Sequence, residues 1–148
     1  MHTIGNFIAG SFSPAHGGQT LDDFNPATEK ILATIPRSQV EDVERAVNAA
    51  HLAQDEWSKL TLEQRANWLD KIADALEQKT ELIASTESRD TGKPIALARR
   101  VDAARSVSNF RFFAEFGRQQ TQQTFQMEDA LNVVHRSPVG TVGLITPW

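Results

Sequence analysis

The stretch SPVGTVGLITPW, residues 137–148, constrains the fold more than any other part of the chain. Val139, Val142, Leu144 and Ile145 form an apolar, partly β-branched run set off by Pro138, Gly140 and Gly143. Such a run, lacking the alternation of a half-solvated strand, reads as a strand buried on both faces of a parallel sheet. A strand of that kind needs paired neighbours and a crossover connection before it is stable. The sequence supplies neither after Trp148. The expectation is a truncated chain: the covering layer of an α/β protein whose parallel core is about to begin.

The preceding residues fit that reading. NFIAGSF (6–12), TLDDF (20–24) and KILATIP (30–36) are short strand candidates separated by turn formers, and NPAT (25–28) is a turn with Pro26 presetting its φ. Together they suggest a small antiparallel element. Three helices follow. SQVE predicts a capping box with Ser38 as N-cap and Glu41 reaching back, and Val40, Val43, Ala46, Val47 and Ala50 then share one face. TLEQ predicts a second box from Thr61 and Gln64, opening a helix with a stripe of Leu62, Leu69, Ile72, Ala73, Leu76 and Ile83. Gly92 should end that helix, and Pro94 should start the next at its first position. The third helix is expected from about Ile95 to Gly117, carrying Leu97, Val101, Ala104, Phe112 and Phe116. RQQTQQTFQ (118–126) reads as a polar surface connection, and Asn132 to His135 as a strand.

Bulk properties exclude several functions. A net charge of −4 gives the chain no general attraction for nucleic acid or anionic membrane. With no cysteine, it can form no disulfide, thiolate metal site or cysteine nucleophile of its own. No stretch approaches the ~18 apolar residues of a membrane span, and the N-terminus lacks a signal-peptide pattern, so a cytoplasmic location is expected. His2, His16, His51 and His135 are isolated, and TGKP lacks the flanking residues of a phosphate loop. The third helix is unusually basic, with Arg99, Arg100, Arg105, Arg111 and Arg118. Most such arginines are solvated or paired within the chain. One turned into a pocket could hold a substrate carboxylate in a bidentate grip, and spacing does not say which.

NFIAGSF, FNPATEKILATIP, VERAVNAAHLAQDEW, ESRDTGKP and SPVGTVGLITPW resemble, in order and spacing, the N-terminal part of the aldehyde dehydrogenase superfamily. The resemblance covers essentially the whole chain. It implies an α/β fold of short antiparallel strands, three helices, an oligomerisation strand and the first strand of a Rossmann-like NAD(P) domain. On that basis residues 120–138 contribute to the oligomerisation element of a homo-oligomer, a dimer or tetramer. Residues 140–148 begin the cofactor sheet, with Ile145, Thr146, Pro147 and Trp148 lining the cleft for NAD. The acidic residue that discriminates against NADP lies beyond the chain in the family. So do the asparagine of the oxyanion hole, the catalytic cysteine and the glutamate base. The chain alone is therefore expected to be inactive, with no catalytic residue of its own.

Two finer expectations follow from the resemblance. ARSVSNFRFF (104–113) and QMEDALNVVHRSPVG (126–140) look closest to the branch acting on muconic-semialdehyde-type substrates, although DAAR (102–105) lacks the proline expected there. In that branch the arginine matching Arg105 faces the substrate tunnel, with Asn109 and Phe110 one helical turn on. Many family members also hold Na+ or K+ through main-chain oxygens matching Asp23 and Phe24 and the carboxylate matching Asp90, a donor set suited to a hard cation. The alternative from a different class is a non-catalytic helical interaction or oligomerisation module derived from the same family.

Overall fold

The computed structural model describes residues 2–146. Pro147 and Trp148, two of the four residues expected at a cofactor cleft, lie outside the described residues. The order is strands, helices, strands: β1 His2–Thr3, β2 Asn6–Ile8, β3 Ser11–Ser13, β4 Thr20–Asn25 and β5 Lys30–Pro36, then α1 Val40–Lys59, α2 Leu62–Glu77, α3 Thr80–Thr91 and α4 Ile95–Leu97. A π-helical segment, Ala98–Ala103, leads directly into α5 Ala104–Arg118, and β6 Gln123–Gln126 and β7 Leu131–Val134 follow.

The first third is more divided than its turn formers suggested. NFIAGSF is a hairpin and not one interrupted strand: β2 and β3 pair antiparallel with Phe7 opposite Phe12, their rings 4.9 Å apart. A two-residue hairpin turn of this kind takes positive φ at both central positions. Gly10 (φ 80) adopts that at little cost, whereas Ala9 (φ 51) does so against its Cβ. β4 and β5 pair antiparallel across the NPAT turn, where Asn25 Oδ1 accepts the Ala27 N–H at 2.9 Å. β1 joins the other edge of β5 in parallel, so the sheet order β1-β5-β4 is mixed. Its ladder slips between Asp23 and Phe24, a local bulge.

Tertiary contacts moved one cap and divided one helix. The N-cap of α1 is Gln39, one residue after the expected Ser38. Asp42, and not Glu41, reaches back to accept the Gln39 N–H at 3.0 Å, because its carboxylate is also held by the His16 main chain. Ser38 instead donates its hydroxyl to Asn6 Oδ1 at 2.8 Å, tying the helix entrance to β2. The Thr61–Gln64 box opens α2 as expected, with reciprocal bonds of 3.1 and 2.8 Å. The predicted stripe from Leu62 to Ile83 belongs to two helices. Gln78 and Lys79 separate them: Lys79 N–H closes back on Leu76 O at 2.9 Å, and the Thr80 hydroxyl donates to Glu77 O at 2.7 Å. These local bonds tighten the last turn without a glycine or proline to announce it. Gly92 closes α3 at φ 74, and Pro94 stands as the N-cap of α4, not at its first helical position.

The core is built from small side chains. Ala66 and Ala73 on α2 face Val107 and Ala114 on α5, while Ala84 on α3 meets Ala98 and Ala103 with Ile83 alongside. Ala98 and Ala103 are both fully buried although five residues apart, a spacing that an α-helix would turn away from a single face. The wider π turn brings both against α3. It also shifts the buried side of α5: Ala104, Phe112 and Phe116, expected in the apolar stripe, are exposed. The apolar face of α1 is likewise exposed at Val40, Val43 and Val47.

At the other end, the expected surface connection contains β6, which pairs antiparallel with β7 in a two-stranded sheet. Residues 137–146 form no strand, and Val139, Leu144 and Ile145 are almost fully exposed. Among the described residues the strand expected there has no neighbour to share its main-chain hydrogen bonds, so its sequence preference alone does not order it.

Candidate functional site

Three of the five arginines on the third helical rod are engaged. Arg99 grips Glu81 bidentately at 2.6 and 2.8 Å, and this bond to Arg99 holds the Glu81 carboxyl below the usual carboxylate range. Arg111 reaches Glu77 at 2.6 Å and Asp74 at 3.0 Å. Arg118 bonds Asp70 at 2.6 Å, Asn67 at 2.8 Å and Glu63 at 3.2 Å, clasping α5 to α2. Arg100 and Arg105 make no ion pair among the described residues.

Arg105 lies on the side of α5 turned away from Val107 and Ala114. By helical spacing Asn109, Phe112 and Phe116 continue its face. Phe112 stacks on Phe116 at 6.2 Å and meets Phe113 edge-on at 5.2 Å. An unpaired guanidinium therefore stands at the head of an exposed aromatic face. Asn109, one turn on, is exposed, whereas Phe110 is half-buried on a different side of the helix.

A network unforeseen in the sequence sits just before Arg105. Lys93 Nζ, in the turn between α3 and α4, bonds Asp102 Oδ2 at 2.7 Å and Glu87 Oε1 at 3.1 Å. Asp102 first, then Glu87, hold the Lys93 ammonium pKa above its ordinary value. The Asp102 carbonyl accepts the Ser106 hydroxyl at 2.8 Å. The proximity of Lys93 and Asp102 arises from the π turn, which leaves no mark in apolar spacing.

Asp23 and Asp90 come together across the sheet and α3, lining a cavity of about 590 Å³ with His2, Thr86 and Arg89 among its walls. Asp90 is still largely exposed. Lost hydration first, and then the Asp23 carboxylate, nevertheless hold its pKa above the ordinary value. Phe24 follows at the bulge, where the ladder to β5 slips in register. Two facing carboxylates and an irregular main chain suit a hard cation. Arg89 on the same cavity wall is a competing positive charge. Among the described residues, no three histidine, cysteine, aspartate or glutamate side chains converge as a metal site. Of the residues expected at a cofactor, Ile145 and Thr146 are exposed in the irregular stretch 137–146.

The described residues thus form an α/β layer of helices beside small sheets, with a basic helical rod and an exposed aromatic face, and direct comparison identifies the family. Residues 12–148 match the aldehyde dehydrogenase family, and the chain belongs to it. It is 42% identical over 146 residues to 2-aminomuconic semialdehyde dehydrogenase of Homo sapiens, which covers 97% of this chain and 29% of that protein. It is 38% identical over 145 residues to acetaldehyde dehydrogenase of Pseudomonas aeruginosa, with the same shares covered. An NAD+ complex of an aldehyde dehydrogenase from Bacillus cereus superposes with a TM-score of 0.83 at 37% identity, over 89% of this chain and 28% of that one. The chain thus spans about 29% of the length of these curated relatives. The family and the α/β fold expected from the resemblance are both borne out. No helix among the described residues is long and apolar enough to cross a membrane.

Proposed function

We propose that the chain is the N-terminal part of a cytoplasmic, homo-oligomeric, NAD+-dependent aldehyde dehydrogenase whose substrate is an aldehyde bearing a carboxylate, of the muconic semialdehyde class. The observation that carries the substrate class is Arg105: like Arg100 it is exposed and without an ion pair among the described residues, and by helical spacing it is the one that heads the face carrying Phe112 and Phe116. Its planar fork would bind the carboxylate, and the neighbouring phenylalanine face would hold the unsaturated carbon chain. The name of the Homo sapiens relative supports the same class.

NAD+, when bound, would accept the hydride lost by the aldehyde carbon. Ile145, Thr146, Pro147 and Trp148 are proposed to line its cleft, beyond the strand that residues 140–148 would form once a neighbouring strand pairs with it. The chain has no cysteine, so the cysteine nucleophile that the resemblance implies would lie outside these residues. β6 and β7 would serve oligomerisation. Their sheet has two open edges, and Phe125, Leu131 and Val133 are exposed on it, a surface that pairing with another subunit would cover. A monovalent cation is proposed at the Asp90 carboxylate and the main-chain oxygens of Asp23 and Phe24, where it would relieve the repulsion between Asp23 and Asp90.

The test is NADH production by the full-length protein with a carboxylated semialdehyde and with a neutral aldehyde. Arg105→Ala should raise KM for the carboxylated substrate roughly tenfold to a hundredfold, and much less for the neutral one. Equal effects on both would remove the substrate assignment. Acetaldehyde dehydrogenase of Pseudomonas aeruginosa, at 38% identity, marks the neutral-aldehyde outcome.

A further inference from the structure

Asp102 stands three residues before Arg105, the spacing at which an aspartate and an arginine on one helix form an ion pair. That pair is not made. The Asp102 carboxylate is instead turned to Lys93, 2.7 Å from the ammonium, while Arg105 has no acidic partner among the described residues. Three features hold Lys93 in place. Gly92 in the left-handed region turns the chain sharply out of α3. The Ser88 hydroxyl donates to the Lys93 carbonyl at 2.7 Å. Glu87 takes a second ammonium bond at 3.1 Å. The π turn completes the arrangement by seating Ala98 and Ala103 against α3, which brings Asp102 to the same side as Lys93.

We infer that Lys93 is a specificity-determining positioning residue: by engaging Asp102 it keeps that carboxylate off Arg105 and leaves the guanidinium free for a substrate carboxylate. This rests on the proposed role of Arg105. The logic is competitive. Asp102 and a substrate carboxylate are chemically alike, and Asp102 is tethered beside Arg105, so its effective concentration there is high. Without a stronger claim on Asp102 from elsewhere, the arginine would be neutralised within its own helix. Lys93 supplies that claim from a site that is about a third exposed, less accessible to solvent than the ordinary surface pairs of the same helix. Along the rod Glu81 holds Arg99, Asp74 and Glu77 hold Arg111, and Asp70 and Glu63 hold Arg118; Lys93 takes the acid that would hold Arg105, and Arg100 also has no ion pair among the described residues.

The experiment compares KM for a carboxylated semialdehyde and for a neutral aldehyde in the full-length enzyme carrying Lys93→Met, Asp102→Asn, both, or Arg105→Ala. Lys93→Met should raise the carboxylated KM roughly two- to fivefold more than the neutral one, the scale of an exposed ion pair. In the Asp102→Asn background the same substitution should have no selective effect, since the competing charge is gone. A rise equal for both substrates, or a selective rise that persists with Asp102→Asn, would overturn the inference and leave Lys93 a structural residue. Should Lys93→Met not fold, Lys93→Arg keeps the charge and should keep the selectivity; its loss there would also overturn the inference. If Arg105→Ala itself shows no selectivity, the substrate assignment fails first. A selective Arg105→Ala with a non-selective Lys93→Met removes the positioning role alone.

Discussion

Asp42 accepts the main-chain N–H of His16 with both carboxylate oxygens, at 3.1 and 3.0 Å, across 26 residues of sequence. With the Gln39 N–H also bound at 3.0 Å, one buried side chain joins the loop after β3 to the start of α1.

Those bonds favour the ionised carboxylate, so the His16 and Gln39 main chain together hold its pKa below the usual range. The stability it contributes is fully present above the unfolded carboxylate value of about 3.9 and is lost as pH falls through the lower folded value. Asp42→Asn should lower Tm near neutral pH by several degrees and flatten the acid limb of the Tm–pH curve. Parallel acid limbs in the two proteins would show that Asp42 does not titrate in this way.

Asp90 has the opposite sign. Its folded pKa is raised, so the native chain keeps the proton to higher pH than the unfolded chain does. Stability is therefore lost as pH rises from about 3.9 through the folded value. Asp90→Asn should raise Tm at neutral pH in buffers free of sodium and potassium, and the gain should vanish under acid conditions. A neutral-pH Tm below that of the native sequence would mean the Asp90 carboxylate makes stabilising contacts that outweigh its repulsion by Asp23.

Gly92 combines a φ of 74 with a close approach to the β4–β5 turn, where an added Cβ would stand 2.9 Å from Pro26 Cγ. Gly92→Ala should destabilise the protein by roughly 1–2 kcal/mol from the left-handed backbone, with the contact on Pro26 adding to it. A urea titration reads this as a lower midpoint at unchanged slope. An unshifted midpoint would mean the turn relaxes freely.

The π turn makes a ranking testable. Ala103 is fully buried between Ala84 and Ala98, while Ala104 is exposed. Ala103→Leu should cost about 1–3 kcal/mol by overpacking, and Ala104→Leu no more than about 0.5 kcal/mol. The reverse ranking would mean that the helix runs through this stretch without the wider turn.

Legibility in the sequence followed how local each cause was. Thr61 and Gln64 are three residues apart and satisfy one another, so their box is readable without knowing the rest of the fold. Ser38 and Glu41 had the same spacing but lost to Gln39 and Asp42, because Asn6 and His16 act from distant strands and loops. Among the five arginines, only the resemblance points to Arg105. What separates it from Arg99, Arg111 and Arg118 is the placement of acids on α2 and α3, which helix packing alone reveals.

By itself the sequence determined the family, the coarse succession of strands, then helices, then strand, and the chemistry available: carboxylates, arginines and aromatics, with no thiol. Those properties depend on composition and short-range pattern. Only the tertiary structure decided where the helical rod widens, which alanines meet, which arginines are paired and which acid Lys93 claims. Each of those outcomes is a competition between partners far apart in the chain, and proximity in the folded state decides it.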